Sequence, residues 1–154
     1  MKRLYLMRHG HAPTPAEAGV KSDALRPLSA KGLSDAARVA AEIFRRGGRP
    51  SRVLHSPLLR AAQTGRAAAS ALKIPAEAFV PLDNTLPPEE ALAALLERAG
   101  GEPELLAVGH QPQIGELAAL LVDQIFDIRP AGLVAIQWDP EPKLLWALNA
   151  DDLA

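Results

Sequence analysis

The chain contains no cysteine. That excludes disulfides, thiolate metal centres and a cysteine nucleophile, and it leaves the redox compartment unreadable from thiols. An excess of charge is missing as well. Seventeen Lys and Arg stand against eighteen Asp and Glu, a formal charge of -1, so the basic surplus of a dedicated nucleic-acid binder is absent. Met1-Lys2-Arg3 opens in the manner of a signal peptide, but the apolar run Leu4 to Met7 stops at Arg8-His9, far short of a signal core or a membrane span. The expectation is a soluble, cytoplasmic protein with neither a nucleic-acid nor a membrane partner. No repeat, linker or low-complexity tract divides the sequence. At 154 residues, 48% of them hydrophobic, the length fits one domain over residues 1–154 with a real core and leaves no room for a second.

What is present alternates. Four short apolar runs, Leu4 to Met7, Val53 to His55, Phe79 to Val80 and Leu105 to Val108, are each followed by turn residues and read as strands. Between them Ala30 to Arg46, Leu58 to Leu72, Glu89 to Arg98 and Ile114 to Val122 carry helical spacing. Ser29 suits an N-cap, and Arg45-Arg46-Gly47-Gly48 suits a helix C-terminus, where cations and a permissive glycine belong. Gly132 to Trp138 and Lys143 to Asn149 are joined by only Asp139-Pro140-Glu141-Pro142, too short for a crossover, so they form an antiparallel hairpin. The predicted fold is α/β: a three-layer αβα sandwich around a mostly parallel mixed sheet, with that hairpin at one edge. Ala12 to Pro27 reads as a surface loop.

Ligands of open α/β sheets bind beyond the carboxyl ends of the strands, and three such ends carry cations or imidazoles. They are Arg8-His9-Gly10-His11, His55-Ser56-Pro57-Leu58-Leu59-Arg60 and Gly109-His110-Gln111-Pro112. With Ser56 as N-cap and Pro57 opening the helix, Arg60 lies about one turn inside it, able to offer a guanidinium fork to an anion at the helix N-terminus. His110, at a strand-to-helix turn, can donate to the same anion. Gly10 lets the backbone pass close to a ligand. His9, between an arginine and that glycine, is the natural nucleophile, since its unperturbed pKa of about 6.5 leaves much of it neutral near pH 7. His55, inside a strand, reads as a hydrogen-bonded structural histidine, whereas His11 either lines the pocket mouth or faces solvent.

Arg8-His9-Gly10, Ser56-Pro57-Leu58-Leu59-Arg60-Ala61-Ala62-Gln63-Thr64 and Val108-Gly109-His110, with Arg26-Pro27-Leu28-Ser29-Ala30-Lys31-Gly32 between the first two, resemble the histidine phosphatase superfamily. The likeness spans nearly the whole chain, and the short length is similar to that of SixA-type phosphohistidine phosphatases. The resemblance implies a phosphoglycerate mutase-like fold, a phosphohistidine intermediate at His9, and a phosphate pocket completed by Arg8, Arg60 and His110, with Gly10 and His11 beside the substrate. It implies no cofactor and no metal. The partner it implies is a phosphohistidine-bearing protein, either a phosphorelay domain or a phosphotransferase carrier, with inorganic phosphate as product. Many members place a carboxylate after the third strand as proton donor; Asp83, Glu89 and Glu90 compete for that place, and Asp83 is preferred. A phosphohistidine substrate makes a weak donor tolerable, because imidazole leaves more readily than an alkoxide.

From Pro81 to Pro103 there is room for a loop and one short helix, not for a lid enclosing a metabolite, so the site is expected to be open. Three other readings remain: a phosphatase for small phosphomonoesters, a phosphoprotein-binding module without turnover, and a metal site on His9, His11 and His110. The last lacks a recognised spacing and sets a divalent cation beside arginines.

Overall fold

The computed structural model of the protein describes residues 1–153. The first strand, β1 (Arg3–Arg8), alternates its side chains between two buried faces: Leu4 and Leu6 point to one, Tyr5 and Met7 to the other. It is flanked on both sides. The parallel neighbour is β4 (Glu104–Gly109) and the antiparallel one β5 (Leu133–Trp138). With β2 (Val53–His55), β3 (Ala76–Ala78) and β6 (Pro142–Leu148) the sheet runs β3-β2-β4-β1-β5-β6. The β2, β3, β4 and β1 pairings are parallel, and the β5–β6 hairpin forms the antiparallel edge.

Helices cover both faces. On the Tyr5 and Met7 side lie α2 (Ala30–Arg45), through Ala36, Val39, Ala40 and Ile43, and α3 (Leu59–Leu72), through Ala61, Ala68 and Ala69. On the Leu4 and Leu6 side lie α4 (Pro88–Ala99), through Ala91, Leu95 and Ala99, and α5 (Gln113–Val122), through Ile114, Leu117 and Ala118. The predicted three-layer αβα architecture with its antiparallel edge is therefore the observed one. Among the described residues, no helix is long and apolar enough to cross a membrane.

The start of α2 is capped as expected, with the Gly32 amide donating to Ser29 Oγ at 3.0 Å. Its end is held by Arg45 and Arg46 on Glu42, at 2.8 and 3.1 Å. Other local expectations need correction. The third strand is Ala76–Ala78, not Phe79–Val80. Phe79 still donates to the His55 carbonyl at 2.7 Å, but Pro81 has no N–H to continue a ladder, and Val80–Leu82 turns into a 3-10 helix that buries Leu82. Helix α3 is capped not at Ser56 but at Leu58 and opens at Leu59, not at Pro57, so Arg60 is in its first turn, as the second helical residue. The segment Ala12 to Pro27 is not all loop: it holds the short helix α1 (Pro15–Ala18) and a 3-10 turn, Asp23–Leu25.

One close approach positions the chain beyond β1. A Cβ on Gly10 would lie 2.7 Å from the Gly32 carbonyl oxygen, and one on Gly32 would run into the His11 carbonyl oxygen. Two side-chain-free residues thus let the loop carrying His9 rest on the first turn of α2. On helix propensity alone Gly32→Ala should gain up to about 1 kcal/mol, yet the clash reverses the sign. Urea unfolding should show a loss of about 1–3 kcal/mol. A Gly32→Ala protein as stable as the wild type would mean that the two backbones are not in contact.

Candidate active site

The parallel β1–β4 ladder sets two imidazoles side by side. Arg8 pairs with Gly109, the His9 amide donates to the Gly109 carbonyl at 2.9 Å, and the next residue of each strand is a histidine. The His9 and His110 rings lie 5.2 Å apart, tilted by 56°. On the other side of His9, its carbonyl accepts from the Ala131 amide at 3.0 Å. The His9 backbone is thus held on one side by β4 and on the other by the turn that leads into β5.

The His9 side chain is buried, and its Nδ1 lies 2.8 Å from the Gly10 carbonyl oxygen. A carbonyl only accepts, so Nδ1 carries the proton and Nε2 bears the lone pair. Burial pushes the pKa of His9 down to about 3, opposed by the Gly10 carbonyl and assisted by the charges of His110, Arg60 and Arg8. The ring is neutral and Nε2 is available across the physiological range. His110 is brought down to about 4, again chiefly by burial and then by Arg60, with Asp23 and Asp83 acting the other way.

Ser56 sits beside His110 because the β2–β4 pairing continues, with its amide donating to the Val108 carbonyl at 3.0 Å. Its Oγ accepts from the Leu58 amide at 3.2 Å and lies 2.7 Å from His110 Nε2. With that lone pair in use, the hydroxyl proton is free to go to Nε2, and the tautomer this favours keeps a proton on Nδ1. That His110 Nδ1 is buried with no partner in the protein, as are the Nε atoms of Arg8 and Arg60. Unpaired buried donors are costly, and here three of them come from side chains gathered at one end of the sheet. A tetrahedral oxyanion can satisfy all three. Thr64 braces the arrangement: its Oγ1 accepts from the Gly10 amide at 2.9 Å and donates to the Arg60 carbonyl at 2.8 Å.

A profile of the Histidine phosphatase superfamily (branch 1) matches residues 4–84. The chain belongs to the histidine phosphatase superfamily. The phosphohistidine phosphatase SixA of Escherichia coli is 31% identical over 122 residues, 77% of this chain and 73% of that protein. An uncharacterized protein of Picosynechococcus sp. is 34% identical over 143 residues, 87% of this chain and 84% of its own. The structure of the protein histidine phosphatase SixA complexed with tungstate is similar at a TM-score of 0.87 and 25% identity, covering 99% of each chain.

In this superfamily member the four residues singled out in sequence, Arg8, His9, Arg60 and His110, come together. His11 does not point inward with them; it is exposed, its Nδ1 2.7 Å from Ser29 Oγ at the start of α2. His55 is buried and bonded to the Ser56 carbonyl at 2.9 Å. Asp83 lies close enough for its charge to act on His110, but its Oδ1 takes the Thr85 amide at 3.0 Å and the Thr85 hydroxyl at 2.5 Å. Glu89 and Glu90 are exposed in the first turn of α4. Ser56, expected only as a helix cap, bonds to His110, while Thr64 and Asp23 make contacts that the sequence alone does not announce. The Ser56-to-Thr64 motif was the available signal for the first two. Among the described residues, no group of three His, Asp or Glu side chains is placed to hold a metal ion.

Two histidines kept neutral by burial make stability pH-dependent. Both have folded pKa values of about 3 and about 4, below the unfolded value of about 6.5. The unfolded chain therefore binds more protons, and their contribution is fully present above about pH 6.5 and is lost as pH falls toward 4. The urea midpoint should drop between pH 7.5 and pH 5, and drop less in His9→Ala. Equal drops in the two proteins would remove His9 as a source.

Proposed function

We propose that residues 1–154 act as one metal-independent phosphatase domain that removes the phosphoryl group from phosphohistidine on another protein. The observation that carries this reading is the His9 Nδ1 bond to the Gly10 carbonyl, which frees Nε2 beside the unpaired donors of Arg8, Arg60 and His110. In the first transfer, His9 Nε2 attacks phosphorus. The bond from phosphorus to the substrate nitrogen breaks, its electron pair stays on that nitrogen, and a neutral imidazole leaves once its other nitrogen carries a proton. In the second transfer, water attacks the same phosphorus, the bond to Nε2 breaks, the water proton passes to solvent or a carboxylate, and inorganic phosphate departs. Positioning and charge do most of this work, and both arginines and His110 are placed to meet the phosphoryl oxygens. Gly10 keeps the backbone close, and His11 stands at the rim.

Three further points support the reading. The Escherichia coli relative bears the name phosphohistidine phosphatase, and a related structure holds tungstate, a tetrahedral oxyanion. Arginines flanking His9 favour an anion over a divalent cation. Between Pro81 and Pro103 only the end of a 3-10 turn and the helix α4 intervene, which leaves the mouth open to a side chain presented by a phosphorelay or phosphotransferase protein. Asp83 favours a second reading, turnover of small phosphomonoesters, since a carboxyl near His110 could protonate an alkoxide.

Quenching the enzyme during its first turnovers on a radiolabelled phosphohistidine protein should leave acid-labile, alkali-stable label on wild type and none on His9→Ala, whose rate falls at least about a thousandfold. A chelator should leave the wild-type rate unchanged. Binding without label or phosphate release in wild type would make the pocket a reader. Asp83→Asn should slow phosphomonoester turnover by about a hundredfold and phosphohistidine turnover far less; equal effects, or none, would remove Asp83 as donor.

A further inference from the structure

The outer end of the Arg60 guanidinium is already engaged. Its Nη1 donates to the Asp23 backbone carbonyl and its Nη2 to Asp23 Oδ2, both at 2.9 Å. The Arg60 side chain is 9% exposed, whereas the Asp23 side chain is 61% exposed on its 3-10 turn. Asp23 is itself held, because its Oδ1 accepts from Arg26 Nη1 at 2.9 Å. Arg26 in turn fastens Nε and Nη2 to the carbonyls of Pro13 and Ala12, at 2.8 and 3.1 Å. A continuous chain of contacts thus runs from the loop backbone through Arg26 and Asp23 to Arg60.

A guanidinium is planar, and its five N–H groups present two forks, one end-on through Nη1 and Nη2 and one side-on through Nε and Nη2. Two bonds to one residue fix the plane and use the end-on fork. What is left is the side-on edge, and Nε on that edge is the buried donor without a partner. We propose that Asp23 is a positioning residue: it clamps the Nη1 and Nη2 end of Arg60 so that the Nε and Nη2 edge meets the phosphoryl oxygens. The proposal rests on the reading of Arg60 as a phosphate ligand. It also assigns a purpose to the segment between His11 and Ser29, which otherwise only covers the rim of the site. Asp23 touches neither the phosphorus nor the leaving group in this scheme and acts through Arg60 alone.

The opposite arrangement has a distinct signature. Were Asp23 a latch that phosphate must displace, removing it would tighten phosphate binding. Calorimetric titration with inorganic phosphate separates the two and does not depend on which phosphorylated substrate the enzyme takes. With positioning, Asp23→Ala should weaken phosphate about tenfold, the loss of one well-aligned charge-assisted contact, and lower kcat. In an Arg60→Ala background the same substitution should change neither. Asp23→Ser, a small polar replacement at an exposed site, should behave as Asp23→Ala and serves if the latter folds poorly. Phosphate binding unchanged or tighter in Asp23→Ala, a lowered melting temperature with unchanged phosphate affinity, or an equal loss in the Arg60→Ala background would each overturn the proposal. Failure of wild type to bind phosphate would overturn it together with the phosphatase reading, whereas normal phosphate binding without phosphohistidine turnover would overturn only the substrate.

Discussion

Two guanidinium groups and two imidazoles share one largely desolvated corner of the sheet, and the rest of the structure is arranged around that constraint. Taking positive charge out of water is unfavourable, and among these four groups only Arg60 is paired directly with a carboxylate of a described residue, that of Asp23. The molecule limits the cost by keeping both imidazoles neutral and by spending some arginine donors on backbone carbonyls. Arg8 Nη1 gives a bond to Ile128 O at 3.0 Å, and Arg60 Nη1 one to Asp23 O. The donors that remain unpaired are the ones an anion would satisfy. The proposed affinity for phosphate and the local instability thus have the same origin.

Backbone placement makes the cluster possible. The β1–β4 pairing delivers His9 and His110 in register, the β2–β4 pairing delivers Ser56, and Thr64 ties the loop after β1 to the first turns of α3. Each contact links residues far apart in sequence, so a slip of one residue in the ladder would turn a pocket side chain into the core. Gly10 and Gly32 serve the same end by removing side chains where two backbones cross.

Much of this was legible in the sequence for a physical reason. Strand ends in a parallel sheet gather ligand groups, so Arg8-His9, Arg60 and Gly109-His110 identify themselves once the alternation of strands and helices is seen. The third strand is hidden in the sequence because Ala76-Glu77-Ala78 carries no apolar pattern; pairing with β2 makes it a strand, whereas the apolar Phe79-Val80 lies just beyond it. Ser56 has the local signature of a cap, but its decisive partner lies 54 positions away. Asp23 gave no signal, since an exposed Asp in a polar loop is unremarkable until Arg60, 37 positions on, is found against it.

The leaving group decides how much more machinery this site needs. An alkoxide requires a proton from a donor held at the right place, and Asp83 has one oxygen committed to the Thr85 amide and hydroxyl. Together with Asp23 it places negative charge near His110. Negative charge at the mouth suits a leaving imidazole passing through its protonated form and opposes an alkoxide or a carboxylate-bearing metabolite. Carboxylates on the His110 side of the site are therefore in keeping with the proposed phosphohistidine substrate.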